Sequence, residues 1–164
     1  MADSSVNISA FGRPDKVHVL HPGDVAVGER GDHLETLLGS CVAVILTDPR
    51  RTVAAMCHIV HSGPTPSGGE TTAHAEPAME AMFGLLVGYG IDPLKCEAYV
   101  FGGGNMFPSL FKRSHVGESN AQWALDILAD LGIQLITHDV GGTTYRRISW
   151  TVGQGAPQVV AVEV

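Results

Sequence analysis

The sequence is short of charge and of cysteine, and each shortage excludes a class of protein. Charged residues make up 16% of the 164, and acidic residues outnumber basic ones by 17 to 10. A nucleic-acid-binding or anionic-membrane surface needs a basic footprint, so we predict neither partner. Three cysteines are too few for a disulfide framework, and because the number is odd, at least one thiol is free. The longest uninterrupted apolar run, residues 41–46, is far too short to insert across a membrane.

The N-terminal residues lack both hydrophobic periodicity and an apolar core. Residues 1–16 are mostly polar, and we predict a flexible arm there. The segment does not resemble a secretory signal, so we expect a cytoplasmic location. The remaining residues, 17–164, are enough for one domain with its own core, and we predict a single domain. A stretch rich in Gly, Pro, Ser and Thr at 62–73 predicts an exposed loop.

Two segments have the apolar spacing of helices. The first covers residues 75–89 and stops at Gly90. The second covers 120–131, with a capping box that starts at Ser119 and a glycine stop at 132. Most of the remaining sequence has the apolar patterns and turn residues typical of strands. These segments are 17–32, 41–48, 52–60, 96–104, 133–142, 146–152 and 158–164. These elements predict an α/β fold, a layered α/β sandwich of mainly antiparallel sheets with two main helices.

A cysteine and a histidine flank a predicted hairpin. If its two-residue turn is centred between Pro49 and Arg50, Cys41 and His58 are equally far from the turn and lie directly opposite each other. An imidazole beside a thiol can form an ion pair with it, which makes the thiolate a nucleophile. Cys57 points to the other face and is predicted to be a core residue. The alternative for Cys41 is a small buried hydrophobe, and a slip of one residue would separate the pair.

The residues before Cys41 suit acyl chemistry. A turn at Gly39 and Ser40 lets a backbone N–H point freely, as in an oxyanion hole. The hydroxyl groups of Ser40 and Thr36 could orient the imidazole or a substrate amide. The alternative for these residues is ordinary turn chemistry.

A metal site is a weaker interpretation of the histidines. Cys57, His58, His61 and His74 are close in sequence, but positions 58 and 61 of a strand face opposite ways. The chain has no CxxC or HExxH motif, so we predict no metal and no cofactor. The glycine run at 102–104 lacks the spacing of a nucleotide-binding loop and predicts a tight turn.

Several motifs together resemble the CheD family, the chemoreceptor glutamine deamidases of bacterial chemotaxis. They are TLLGSCVAVILTDP at 36–49, the apolar strand with His58, FGGGNMF at 101–107, VGESN at 116–120 and DVGGTTYRR at 139–147. The resemblance implies conversion of glutamines of methyl-accepting chemotaxis receptors to glutamate, with release of ammonia. It also implies a fold similar to the catalytic domains of deamidating toxins.

The resemblance also implies roles for particular residues and partners. Cys41 is the expected nucleophile, His58 the base and Thr36 the third catalytic residue. The turn at Gly39 and Ser40 adds, from the residues themselves, the expected oxyanion support. A CheC-like phosphatase is a further expected partner. The alternative function is a non-catalytic chemotaxis adaptor that docks on such a phosphatase or on receptors.

Overall fold

The structure is a computed structural model that describes residues 16–65, 71–112 and 114–163. The predicted arm over 1–16 lies outside these residues except for Lys16, and so does the centre of the predicted loop at 62–73. Within the described residues there are nine strands and two α-helices. In chain order they are β1 (Val17–Leu20), β2 (Val25–Glu29), β3 (His33–Leu38), β4 (Val42–Thr47), β5 (Val53–Ile59), α1 (Ala75–Gly88), β6 (Glu97–Gly102), α2 (Val116–Leu131), β7 (Gln134–Val140), β8 (Tyr145–Thr151) and β9 (Gln158–Val162).

The strands form two sheets, and the helices cover one of them. The five-stranded sheet has the order β2-β5-β4-β6-β7, and the four-stranded sheet has the order β1-β3-β8-β9. The β1–β3 and β6–β7 pairs are parallel, and the other neighbouring pairs are antiparallel. The predicted α/β class, with mainly antiparallel sheets and two helices, is confirmed.

The five-stranded sheet is the middle layer, and this explains its apolar sequence. Every residue of β4 and β5 is buried. Val44 and Cys57 belong to the core under the helices, whereas Ile45 and Met56 belong to the core between the two sheets. A strand buried on both faces reads as a continuous apolar run rather than as an alternating one.

The helix ends are partly as predicted. The first helix covers the predicted segment, and Gly132 ends the second in the left-handed conformation, with φ of 70°. The predicted capping box at Ser119 is wrong, because the helix begins one turn earlier, at Val116. Its N-cap is His115, whose Nδ1 accepts a hydrogen bond from the Glu118 N–H at 3.2 Å. An imidazole therefore does the capping that we assigned to a serine hydroxyl.

Candidate active site

Three predicted site residues come together at one end of the space between the sheets. His58 lies near the end of β5, and Cys41 immediately precedes β4 in the same sheet. Thr36 lies in β3 of the facing sheet, a strand that the sequence analysis did not predict. The Thr36 Oγ1 is 2.8 Å from His58 Nδ1, so the two sheets meet at this contact.

The predicted register of the hairpin is wrong by two positions. His58 pairs with Ala43, so Cys41 is diagonal to it rather than directly opposite. The turn itself is present, with the Arg51 N–H donating to the Asp48 carbonyl at 2.8 Å. Arg51 then adopts a positive φ of 55°. This left-handed residue lengthens the loop, as is common after a type I turn in a hairpin, and it shifts the pairing. Because the shift is even, Cys41 and His58 still share a face.

The hydrogen bonds of Thr36 select one tautomer of His58. The Thr36 hydroxyl donates its one proton to the Leu20 carbonyl at 2.8 Å. Its oxygen can then only accept from the His58 ring, so Nδ1 carries the proton. In the neutral ring Nε2 is consequently free to accept a proton. The arrangement resembles the way in which a third residue orients the histidine of a catalytic triad.

Burial keeps both members of the pair uncharged at rest. Desolvation raises the pKa of the Cys41 thiol above its ordinary value. Desolvation also lowers the pKa of His58 to about 4, an effect that Asp24 opposes and His21 reinforces. At neutral pH the resting site therefore holds a thiol and a neutral imidazole. Both shifts disfavour the predicted thiolate–imidazolium ion pair, because burial makes charge on either group costly.

The other two cysteines are buried. Cys57 lies on the helix-facing side of β5, as predicted, and burial raises its pKa to about 12. Cys96 is also buried, and desolvation, followed by the nearby carboxylates, raises its pKa to about 12. Cys41 is the partly exposed one of the three.

Glycines hold the backbone at Cys41. The Gly103 N–H donates to the Cys41 carbonyl and the Gly104 N–H to the Gly39 carbonyl, each at 2.9 Å. A Cβ on Gly102 would collide with the Cys41 carbonyl oxygen. The glycine run is thus a tight turn, as predicted, but what it contacts is the backbone of the candidate nucleophile.

Sequence reasoning assigned no role to Asn120, although it lies in the VGESN motif. Its side chain is fully buried. Its Nδ2 donates to the Ser40 carbonyl at 3.1 Å and to the Val60 carbonyl at 3.0 Å, and its Oδ1 accepts from the Ser62 N–H at 2.8 Å. A polar residue on the buried face of a predicted helix was the signal that could have revealed it.

Arg146, in the DVGGTTYRR motif, is a buried arginine. Its guanidinium contacts the Asp139 carboxylate at 3.2 Å. It also donates to the carbonyls of Gly141 at 2.6 Å and Gly102 at 3.4 Å. Arg146 therefore joins the two glycine-rich motifs beneath the Cys41 loop.

Cys41 and His58 open into one cavity of about 580 Å³. Most of its walls are apolar or backbone, which suits a long side chain with a small polar end. The lining residues are Pro22, Leu37, Gly39, Ser40, Cys41, His58, Gly104, Asn105, Met106, Phe107, Phe111, His115, Val116 and Tyr145.

The histidines that suggested a metal do not form a ligand set. Cys57 and His58 face different cores, and the rings of His61 and His74 lie 5.1 Å apart at a bridge beyond β5. Across residues 16–65, 71–112 and 114–163, no group of three or more His, Cys, Asp or Glu side chains is placed to hold a metal ion. Of the two described α-helices, neither is long and apolar enough to cross a membrane.

Comparison with known proteins identifies a family. The family model described as "CheD chemotactic sensory transduction" matches residues 61–160. Three curated relatives carry the name "Probable chemoreceptor glutamine deamidase CheD", one of them as CheD 2. The Albidiferax ferrireducens protein is 31% identical over 83% of this chain and 82% of its own. The Caulobacter protein is 34% identical over 90% and 79%, and the Rhizobium rhizogenes protein is 35% identical over 87% and 78%.

A solved structure, a Neisseria meningitidis protein of the DUF152 family, is much less similar. It has a TM-score of 0.44 and 12% identity, over 84% of this chain and 67% of that one.

Proposed function

The chain belongs to the CheD family, and on that premise we propose that it is a chemoreceptor glutamine deamidase whose single domain spans residues 17–164. The observation that carries the chemical proposal is the contact of Thr36 with His58, in a site where His58 and Cys41 line the same cavity. A neutral imidazole with a free Nε2, next to a thiol, is the machinery of acyl transfer.

In the first half of the reaction, Cys41 displaces ammonia from a glutamine side chain. His58 Nε2 takes the thiol proton as the sulfur attacks the amide carbon and a C–S bond forms. The carbonyl electron pair moves to oxygen, where backbone N–H groups near Ser40 and Cys41 stabilise the oxyanion. When the C–N bond breaks, the nitrogen leaves as ammonia with the proton from His58, and a thioester remains.

In the second half, water releases the product. His58 accepts a proton from water as the water oxygen attacks the thioester carbon. The second oxyanion collapses, the C–S bond breaks, and the sulfur regains a proton from His58. The products are glutamate and the resting thiol, so each turnover consumes one water and releases one ammonia.

The test uses a receptor signalling fragment and mass spectrometry of its glutamines. The wild-type protein should convert specific glutamines to glutamate. Cys41→Ala should abolish conversion and leave the fold intact, because a small side chain at a partly exposed site leaves little cavity. Cys57→Ala is the matched control, since it removes a buried thiol from the other face of the same sheet. Conversion that survives in Cys41→Ala would rule out this mechanism.

We also propose that an apolar surface at the mouth of the cavity is a docking site for the receptor, and that a CheC-like phosphatase is a further partner of the chain. Leu37, Phe107, Leu110 and Phe111 are all exposed large hydrophobics. Leu110→Ser, outside the cavity lining, should raise KM for the receptor without changing alkylation of Cys41, whereas Val87→Ser, on an exposed position of α1, should change neither. A protein that binds these partners but never deamidates would instead be the adaptor of the alternative hypothesis. We also propose a cytoplasmic location.

A further inference from the structure

We propose that Asn120 is a positioning residue that aims the backbone N–H of Cys41 at the oxyanion of the tetrahedral intermediate. This inference rests on the proposed acyl-transfer function and extends it to a residue of α2 that lies outside the Cys41–His58–Thr36 group. Asn120 touches none of the reacting atoms. It acts through the peptide bond that joins Ser40 to Cys41.

All the hydrogen-bonding groups of the Asn120 amide are used. Each of its two N–H groups donates to one carbonyl, that of Ser40 and that of Val60. The side-chain oxygen accepts from the Ser62 N–H at 2.8 Å. Because the side chain is fully buried, no water can replace these bonds, so the amide has one orientation.

The orientation of the Ser40 carbonyl determines that of the Cys41 N–H. The two groups belong to one peptide unit, and the described chain contains no cis peptide bond. In a planar trans peptide the C=O and the N–H point in opposite directions. Holding the Ser40 carbonyl against Asn120 therefore directs the Cys41 N–H away from α2. The neighbouring peptide units are held too, since Gly104 and Gly103 donate to the Gly39 and Cys41 carbonyls.

Asn120 also bridges the two segments where β4 and β5 separate, since its amide contacts Ser40 on one side and Val60 and Ser62 on the other. In the observed register the position opposite Cys41 is Val60, one residue beyond the last pair, Val42 with Ile59. Val60 gives its N–H to the Ala73 carbonyl at 2.8 Å and its carbonyl to Asn120. Cys41 itself accepts from the Gly103 N–H on the β6 side, and within the described residues no backbone carbonyl accepts from the Cys41 N–H, which therefore remains available. The same amide fixes the spacing between the segments that carry Cys41 and His58.

The experiment compares two reactions of the Cys41 thiol in the full chain. Acylation by p-nitrophenyl acetate passes through a tetrahedral oxyanion: sulfur attacks the carbonyl carbon, His58 takes the thiol proton, and p-nitrophenolate leaves. Alkylation by iodoacetamide forms a C–S bond as iodide leaves and places no charge on a carbonyl oxygen. The ratio of the acylation rate to the alkylation rate therefore depends on the oxyanion donor alone. A Cys41→Ala blank subtracts any reaction elsewhere.

Asn120→Asp keeps the shape of the side chain but loses both donors. We expect it to lower acylation by about 100-fold, the loss typical of one oxyanion-hole donor, and alkylation by less than about 3-fold. Thr47→Val is the matched control. It removes the buried hydroxyl that donates to the Val53 carbonyl at the other end of the same hairpin, and it should leave the ratio unchanged. A general loss of structure would lower both rates together and leave the ratio near that of the wild type.

A second pair of variants leaves Asn120 in place and changes the backbone group that holds it, in case Asn120→Asp does not fold. Ser62→Pro deletes the N–H that holds Oδ1, and we expect the ratio to fall in the same direction by about 10-fold. Ser62→Ala keeps that N–H and should match the wild type. If folded Asn120→Asp, or Ser62→Pro in its place, keeps the wild-type ratio, the proposal is overturned. Because the readout needs no receptor, it can succeed even if wild-type protein fails to deamidate receptors, so the two failures are distinguishable.

Discussion

The two ends of the β4–β5 hairpin are stabilised in opposite ways. At the turn, the Asp48 carboxylate accepts hydrogen bonds from the N–H and hydroxyl of Thr52 and from the N–H of Val53, all within five residues. At the open end, His58 is held by Thr36, 22 residues away, and the Ser40 carbonyl by Asn120, 80 residues away. The turn is therefore a local structure, whereas the candidate site exists only in the assembled fold.

The turn and the open end of the hairpin also differ in which charge state of a titratable side chain they stabilise. Burial alone would raise the pKa of Asp48, but the hydrogen bonds from Thr52 and Val53 outweigh it and the pKa lies below its ordinary value. At the site, burial lowers the pKa of His58 to about 4 and keeps the ring neutral. The turn thus stabilises the charged form of Asp48, whereas the site disfavours the charged form of His58. A base that is neutral at rest can take the thiol proton when a substrate arrives.

The largest expected effect is the loss of the base at the open end. His58→Ala should lower kcat for deamidation by about 10²- to 10⁴-fold, the usual contribution of general acid–base catalysis. His138→Ala is the control, because His138 is an exposed histidine of β7. Turnover of receptor glutamines, followed by mass spectrometry, gives both rates. A His58→Ala rate within a few-fold of wild type would remove His58 from the mechanism.

The next effect comes from the glycine beneath Cys41. Gly102→Ala introduces a Cβ against the Cys41 carbonyl and should lower kcat by about 100-fold, since a small displacement of a reacting group can cost that much. Gly132→Ala is matched to it. Gly132 also has a positive φ, but a Cβ there meets nothing within 4 Å, so only stability should fall, by about 1 kcal/mol. Equal activity per folded molecule in the two variants would contradict a role for the close approach.

A smaller effect is expected at the contact between the sheets. Thr36→Val keeps the shape but frees the His58 ring to adopt the wrong tautomer, and kcat should fall by about 10-fold, part of the general-base contribution. Thr36→Ser keeps the hydroxyl and should restore most of the activity. If valine and serine behave alike, the hydroxyl does not select the tautomer.

At the turn, a substitution should change stability and leave chemistry unaffected. Asp48→Ala removes the acceptor of three hydrogen bonds and should lower the free energy of unfolding by about 2 to 3 kcal/mol. Deamidation per folded molecule should be unchanged. Urea denaturation and initial rates on one preparation measure the two quantities. A fall in kcat would show that the turn and the site are coupled.

The sequence predicted what depends on nearby residues. Helix α1 follows from apolar spacing, and the end of α2 follows from Gly132. The turn at 48–51 was also correct, because a proline presets its backbone. The shared face of Cys41 and His58 was correct because strand parity survives an even change of register.

What the sequence did not predict depends on distant partners. The positive φ of Arg51 shifted the register, and no glycine or asparagine at that position indicated it. Strand β3 was missed, so the analysis anticipated that Thr36 could orient the imidazole but not that the contact with His58 joins two sheets. The neutral state of Cys41 and His58 was missed for a related reason, since desolvation depends on what covers a side chain rather than on its sequence neighbours.

The most direct test of the central claim, that burial keeps the His58 base neutral in the free enzyme, is the pH dependence of kcat/KM for deamidation. Protonated His58 cannot accept the thiol proton, so activity is lost as the pH falls through the pKa of His58 in the free enzyme. With that pKa lowered to about 4, activity should be level through mildly acidic pH and fall to half near pH 4. Full recovery on return to neutral pH would show that the enzyme had not been irreversibly inactivated. Activity that halves near pH 6.5, the ordinary value for histidine, would contradict the account.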